Sequence, residues 1–360
     1  MNKIVFSVKQ FALILYCIVA ILPSVFANVI EDNRSYSKST AVSKSVLKER
    51  LQNMSSVIDI RYTDVTERKI NEYVHKGRKG SEELLGRVSM YFPTIENVLW
   101  EKNLPEIIKY IPIIESSLRP HARSRANAVG MWQFMKPTGK MYDLKINKTI
   151  DERKDPVKAT KAAGEYFLDL YEMFDDWTLA IAAYNCGPGN VRKAIRRSGG
   201  KNNYWEIRKY LPKETRSYVP KLIAAMYLMK YYHIHDIQPA TIADELMYTT
   251  TVTVHKNISL QDVSKHIGVD ALTLQLLNPE YLKKYIPANK SGNELRLPTF
   301  SLVHYFEHYE PATFNKMIAD QKKREAEQLT PPRPSINGLD HLAVIDPKLI
   351  KYPRRKTKSI

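Results

Sequence analysis

Glu115 is the side chain that its neighbours best equip for acid–base chemistry. It follows Leu104, Ile107, Ile108 and Ile111 on a helical stripe, and at about 100° per residue it falls only about 20° from Leu104, so a carboxylate points at the apolar side of its helix. Pro112 is placed to bend that helix, but Ile111, Ile113 and Ile114 still surround the carboxyl with hydrocarbon. Removing the anion from water there raises the pKa toward ~6, the state a general acid needs near neutrality. A core carboxylate satisfied by an arginine is an equal reading of this helix alone. A second arrangement, His304-Tyr305-Phe306-Glu307-His308, matches the His-x-x-Glu-His spacing that sets two imidazoles on one helical face in zinc peptidases. A functional site would want a third ligand in a folded setting, whereas this pattern sits at the edge of a module before a tail, so no metal is expected and an exposed aromatic-rich helix explains it as well.

Three further blocks follow Glu115-Ser116 in order: Gly130-Met131-Trp132-Gln133-Phe134-Met135, Ala182-Ala183-Tyr184-Asn185-Cys186-Gly187 and Glu214-Thr215-Arg216-Ser217-Tyr218-Val219-Pro220. This series resembles the family 1 lytic murein transglycosylases. With Asp151-Glu152-Arg153-Lys154-Asp155-Pro156 between the Met135 and Ala182 blocks, it is similar to their membrane-bound D branch. The resemblance covers about residues 65 to 235. It implies a lysozyme-like helical domain that cleaves the β-1,4 bond between N-acetylmuramic acid and N-acetylglucosamine without water and without a cofactor. Glu115 is then the single acid/base: it protonates the glycosidic oxygen and later accepts the proton of the muramyl C6 hydroxyl as that oxygen closes on C1, giving a 1,6-anhydro sugar. An intramolecular nucleophile has a large effective molarity, so no second carboxylate is required.

The resemblance also distributes supporting roles. Ser116 hydrogen-bonds Glu115 or the substrate, or simply caps its helix. Gln133 and Asn185 are neutral amides suited to N-acetyl groups, and Tyr184 and Tyr218 bring phenols to the developing oxocarbenium and the carboxyl. Met131 supports the site where leucine is commoner, and Trp132 reads as a core or cleft-wall aromatic. Asp151 to Pro156 reads as helix punctuation, and Asp143 departs from the glycine usual in the branch, which bears on loop shape and not on chemistry.

These blocks need elements to carry them. From about Thr63 to His235 the apolar pattern is helical, with interruptions at Gly77, Gly80, Pro120 and Gly187-Pro188-Gly189. Asp155-Pro156 opens one helix and Asp176 another, each an N-cap acceptor, and a last helix runs from about Glu214 to Tyr232. After Pro239 the texture changes. Thr249 to Val254 and Glu294 to Pro298 read as strands flanking helical stretches Leu260 to Ile267 and Ala271 to Leu277. This βααβ module resembles a divergent lysin-motif repeat through Leu276-Leu277-Asn278-Pro279 and Leu295-Arg296-Leu297-Pro298, which implies peptidoglycan binding; a structural appendage is the other reading. Its Lys256-Asn257-Ile258-Ser259-Leu260 opening and its long stretch from Glu280 to Asn293 depart from the repeat. The expected fold class is mainly α, a lysozyme-like helical domain followed by a small α+β module. The expected division is a signal peptide at 1–27, a flexible segment at 28–62, the catalytic domain at 63–236, the module at 249–299 and a charged, disordered tail at 300–360.

Residues 1–27 join Lys3 and Lys9 to an apolar run and a Val25-Phe26-Ala27 cleavage pattern, which predicts export to the periplasm or cell envelope. About 15 apolar residues are short for a ~30 Å hydrocarbon core, which disfavours an uncleaved anchor. Tyr16 before Cys17 disfavours a lipid anchor, and with Cys17 in this leader Cys186 stands alone, leaving no disulfide framework or cysteine zinc site. At 360 residues, 44% hydrophobic and 26% charged, the chain is no disordered polymer, and its net charge of +17 calls for an anionic partner. Peptidoglycan strands fit, with peripheral association to membrane or wall. A nucleic-acid partner is disfavoured by the leader and by basic residues that are scattered or in tails, as in Lys351 to Ile360. Two other functions compete: a lysozyme-like hydrolase, which needs Glu214 or Asp151 as a second carboxylate, and an inactive peptidoglycan-binding scaffold.

Overall fold

The computed structural model describes residues 42–329; the leader at 1–27 and the basic stretch Lys351 to Ile360 lie outside the described residues. The chain divides into two compact units, Met1–Tyr305 and Phe306–Ile360. Helix α1 (Lys44–Gln52) is capped by the Ser43 hydroxyl and buries Leu47 and Leu51, one turn apart. It lies on the last helix of the body, where the Arg50 guanidinium donates to the Tyr227 hydroxyl at 2.8 Å and Lys230 Nζ to the Asn53 carbonyl at 2.8 Å. The segment at 28–62, expected to be flexible, is therefore ordered over this stretch. Two leucines among polar residues are too short a pattern to announce a helix, but enough to dock one.

α2 (Asp64–Asn71) is capped by Thr63 and runs through one π turn, Glu72–Lys76, to Gly77. α3 (Arg78–Glu101) then spans 24 residues. Gly80 lies inside it with nothing within 4 Å of where a Cβ would sit, so the interruption expected there does not occur; an exposed helical glycine costs only ~1 kcal/mol. A 3₁₀ turn, Glu106–Tyr110, leads into the short α4 (Ile111–Ser116), and after an irregular stretch comes α5 (Lys136–Met141). The carboxyl of Asp155 accepts from the Val157 and Lys158 amides to start α6 (Pro156–Phe174), and that of Asp176 accepts from Leu179 to start α7 (Trp177–Cys186). α8 (Pro188–Arg197), α9 (Tyr204–Ile207) and α10 (Tyr218–Tyr231) complete the body. α7 is buried continuously from Thr178 to Ala183, and α10 from Leu222 to Leu228. Helices apolar all round belong at the centre, and these two form it. α10 starts four residues after Glu214 because Thr215–Ser217 is 3₁₀, its carbonyls at Thr215 and Arg216 taken by the Tyr204 hydroxyl.

The module opens with α11 (Asp244–Met247), then β1 (Thr249–Val254), β2 (Ile258–Ser259), α12 (Leu260–Ile267), α13 (Ala271–Leu277), β3 (Tyr285–Ile286) and β4 (Asn293–Pro298). β1 pairs antiparallel with β4, Val252 opposite Leu295, and alternation puts Val252 and Val254 inside with Thr251 and Thr253 outside. The β2–β3 pair, Ile258 opposite Ile286, is too short to leave a period in the sequence. Buried Asn278 donates to the Leu274 and Arg296 carbonyls and accepts from the Arg296 amide, each at 2.8 Å, so an amide side chain ties α13 to β4. Beyond the module, α14 (Leu302–Tyr309) and α15 (Pro311–Leu329) stand where a disordered tail was expected. α15 opens with proline and is rich in Ala, Lys, Glu and Gln, so intrinsic propensity, not burial, makes it helical.

Helical body and module are joined by main chain. The Asp151 amide donates to the Glu280 carbonyl and the Leu282 amide to the Thr149 carbonyl, both at 2.9 Å, with Ile150 opposite Tyr281. The Ala240 amide also donates to the Glu82 carbonyl at 2.8 Å. A Cβ on Gly86 would come within 2.6 Å of the Ala240 carbonyl oxygen. At this seam the Glu280 carboxyl is pushed up to about 8, first by burial and then by the Asp155 carboxylate, against the pull of Arg296 and Lys158. Folded protein thus holds a proton that the unfolded chain releases. The stabilisation is complete below the ordinary glutamate range and is lost as pH rises to about 8. Calorimetry should show Tm falling by roughly a few °C more for the wild type than for Glu280→Gln between pH ~5 and ~8; parallel slopes would mean Glu280 is ionised in the folded state.

Candidate active site

Glu115 occupies the last turn of α4, which ends in two consecutive left-handed residues, Ser117 at φ 55° and Leu118 at φ 58°. Such a conformation costs about 1–2 kcal/mol for each non-glycine residue. It is held by full burial of Leu118, by bonds from the Ser117 and Leu118 amides to the Ile113 and Pro112 carbonyls, and by Arg87 Nε donating to the Ser117 carbonyl at 2.8 Å. The turn halts the helix just beyond the acid, leaving Glu115 at the edge of a cavity of about 660 Å³.

Burial pushes the Glu115 carboxyl up to about 7. Of the lesser influences, the hydrogen bond from Tyr218 pulls it down, the Glu214 carboxylate raises it and Lys221 lowers it. Tyr218, the first residue of α10, places its hydroxyl 2.5 Å from Glu115 Oε1. Ser116 does not hold the acid. Its hydroxyl donates to the Met131 carbonyl at 2.9 Å and accepts from the Arg119 amide, stapling α4 to the loop that follows. Met131 is buried beneath that loop.

The loop is built from bridges that pair Val129 with both Arg123 and Phe134. Gly130 is required in it: its φ is 87°, and a Cβ would lie 1.7 Å from the Arg153 carbonyl oxygen. Trp132 is fully buried, donating to Thr160 Oγ1 at 2.9 Å, a core aromatic. Gln133 itself adopts φ 50°, with Nε2 donating to the Gly130 carbonyl at 2.8 Å. The stretch from Asp151 to Pro156 does more than punctuate α6. Arg153 donates from Nε and Nη2 to both Asp151 carboxylate oxygens, at 2.9 and 2.7 Å, and from Nη1 to the Phe134 and Asn127 carbonyls, at 3.1 and 3.3 Å.

From α7, the Tyr184 hydroxyl donates to the Trp132 carbonyl at 2.6 Å, and its ring stacks on Phe167 at 4.6 Å. Asn185 Oδ1 accepts from Thr215 Oγ1 at 2.7 Å. Glu115, Gln133, Tyr184 and Asn185 therefore line one cleft, whereas Ser116, Met131 and Tyr218 support its wall from behind. Glu214 also lines it, as do Arg125 and Tyr166. Tyr166 shares the i, i+3/i+4 spacing of Ala159, Ala163 and Leu170 on the core face of α6, yet it is only partly buried, its ring 5.4 Å from Tyr184. Asp151 is buried with both oxygens spent on Arg153, so of the two candidate second carboxylates only Glu214 reaches the cleft. Among the described residues no group of three or more His, Cys, Asp or Glu is placed to hold a metal ion.

Comparison with known proteins agrees with this architecture. Residues 94–207 match the Transglycosylase SLT domain, and residues 248–311 match the LysM-like domain of lytic transglycosylase MltD. The chain thus carries one stretch similar to the SLT domain and, after it, one similar to the MltD LysM-like domain. It is 35% identical over 196 residues to membrane-bound lytic murein transglycosylase D of Escherichia coli strain K12, an alignment covering 53% of this chain and 43% of that protein. It is 29% identical over 136 residues to the soluble lytic murein transglycosylase of Salmonella typhimurium, covering 36% of this chain and 21% of that one. Among solved structures, the 70 kDa soluble lytic transglycosylase of Escherichia coli aligns with a TM-score of 0.38 at 17% identity, over 61% of this chain and 46% of that one.

A hydrogen bond to the carboxylate favours its ionised form. Tyr218→Phe should therefore move the Glu115 midpoint upward from about 7, as read by carbon-detected NMR of labelled glutamate carboxyls. A midpoint that fell would show that the Tyr218 hydroxyl favours the protonated form of Glu115.

Proposed function

We propose that the protein is a lytic transglycosylase of peptidoglycan, with Glu115 as its one catalytic acid and base. The observation that carries the reading is a carboxyl held near a pKa of 7 at the rim of a cleft, bonded to a tyrosine hydroxyl. In that state it protonates the oxygen between N-acetylmuramic acid and N-acetylglucosamine. The resulting carboxylate takes the proton of the muramyl C6 hydroxyl, whose oxygen closes on C1 and leaves a 1,6-anhydro end. General acid–base help contributes ~10²–10⁴-fold, and positioning supplies much of the rest.

The two amides complement an N-acetyl group. Gln133 spends Nε2 on the Gly130 carbonyl and so offers Oε1 as an acceptor; Asn185 accepts from Thr215 and so offers Nδ2 as a donor. The Tyr184 ring supplies an apolar wall, and the LysM-like module supports the same polymer as partner. A membrane-bound relative and the leader at 1–27 support a site of action in the cell envelope, reached by export; among the described residues no helix is long and apolar enough to cross a membrane. Glu214, lining the cleft, favours a second reading, a hydrolase in which it directs water.

Mass spectrometry of digested sacculi separates the two. Anhydromuropeptides are expected, and predominantly water-added reducing ends would establish the hydrolase. Glu115→Gln should leave less than about a hundredth of the wild-type rate while glycan binding persists. Glu214→Gln should keep most of the rate, and inactivation equal to that of Glu115→Gln in a folded variant would overturn the single-acid mechanism.

A further inference from the structure

Hydrogen bonds run without a break from the LysM-like module to the cleft wall. On the module side, the Tyr281 hydroxyl donates to the Glu294 carbonyl of β4 at 2.5 Å, which fixes the Glu280–Leu282 segment to the module's own sheet. That segment pairs with residues 149–151 through the two main-chain bonds at the seam, and both Ile150 and Tyr281 are buried there. Residues 147–151 form a tight strap, because Asn147 Oδ1 accepts from the Thr149 and Ile150 amides at 2.7 and 2.8 Å. The strap ends in Asp151, whose carboxylate holds Arg153 at two points. Arg153 in turn grips the loop carrying Gln133 from both ends, at the Asn127 and Phe134 carbonyls, while its own carbonyl presses against Gly130.

Each link is directional, with lengths from 2.5 to 3.3 Å. The guanidinium is nearly fully buried, with 8% of its side chain exposed, so its donors have no water to turn to and must be spent on these four oxygens. A merely structural ion pair would be satisfied by Asp151 alone. The two additional carbonyls belong to residues that flank the wall of the cleft, and Gln133, held at a positive φ between them, cannot keep its orientation if they shift.

We propose that Arg153 is a positioning residue for substrate binding, and that the module sets it through the 147–151 strap, so that the module completes the cleft as well as meeting the polymer. This rests on the reading of Gln133 as an N-acetyl acceptor in a transglycosylase. The geometry assigns the Glu280–Leu282 segment a role in cutting even a short soluble glycan, on which a tether has nothing to act.

The test uses the full chain. Leu282→Pro removes the one amide that bonds Thr149, at a side chain that is 41% exposed, and Arg153→Lys keeps the charge but loses the fork. With a soluble glycan oligomer, each should raise KM about tenfold, as expected for one displaced hydrogen bond, with kcat changed less than KM. The alkaline limb set by Glu115 should stay in place, since α4 and α10 hold it and not the strap. The double variant should be no worse than about the stronger single one, because both act along one path. Hydrogen exchange read by mass spectrometry reports the same coupling without any turnover: peptides spanning 127–134 should lose protection in Leu282→Pro. Unchanged KM together with unchanged exchange at 127–134 in a folded Leu282→Pro would overturn the proposal and leave the module a tether, as would fully additive effects of the two substitutions. If the wild type releases no anhydro product but exchange at 127–134 still responds, the coupling stands and the transglycosylase reading fails instead.

Discussion

A carboxyl group stays protonated near neutral pH where its anion is denied water, and the helical body is arranged around that condition at Glu115. Burial is the largest influence on this group, larger than the opposing bond from Tyr218. The arrangement asks for two things that conflict, a hydrocarbon surround and an opening to substrate. α4 reconciles them by being short: it buries Ile111 and Ile113 and then stops, through two left-handed residues, just beyond the acid. The conformational cost of that stop falls on a turn anchored by a buried leucine, and α10 closes the other side with Tyr218.

Much of this was legible in the residues. The apolar residues around Glu115 and the N-cap aspartates at 155 and 176 are local signals, each written within a few positions, although the stripe from Leu104 is not one α-helix, because Glu106–Tyr110 is a 3₁₀ turn and only Ile111–Ser116 is α. The two module helices are local signals too, and they run over the residues that their apolar spacing marks. The mainly helical fold with a small α+β module follows from the same patterns. What stayed hidden was long-range. Nothing near Ser116 indicates that its hydroxyl would turn to the Met131 carbonyl, because that carbonyl is brought close by the loop bridges and not by sequence neighbours. α1 was hidden for a similar reason, since its two leucines gain meaning only against α10.

Arg153 shows how a motif can be visible and its use invisible. A charged run before a proline is sufficiently explained as a helix start, and Asp155 does serve as one. The alternative lay in oxygen atoms of Asn127 and Phe134, which no side-chain pattern records. The same holds for Tyr166, whose spacing fits the core face of α6 although the ring ends at the cleft. Periodicity reports which side of a helix is apolar; it does not say whether that side meets packed protein or a cavity lined with aromatic rings.

The bond between Arg50 and Tyr227 joins residues 177 positions apart, and the strap waits on Glu280 in the same way. Both ends of the helical body are therefore closed by chain that is synthesised long before or long after the part it closes. Contacts of this kind repay loop-closure entropy late and slow the folding of the region that depends on them. While it emerges from the ribosome, the polypeptide can form α3, α6 and α7 from neighbouring residues, but it has no finished cleft until the module arrives. Competence is thus postponed until the module has been made, a delay that comes from topology alone.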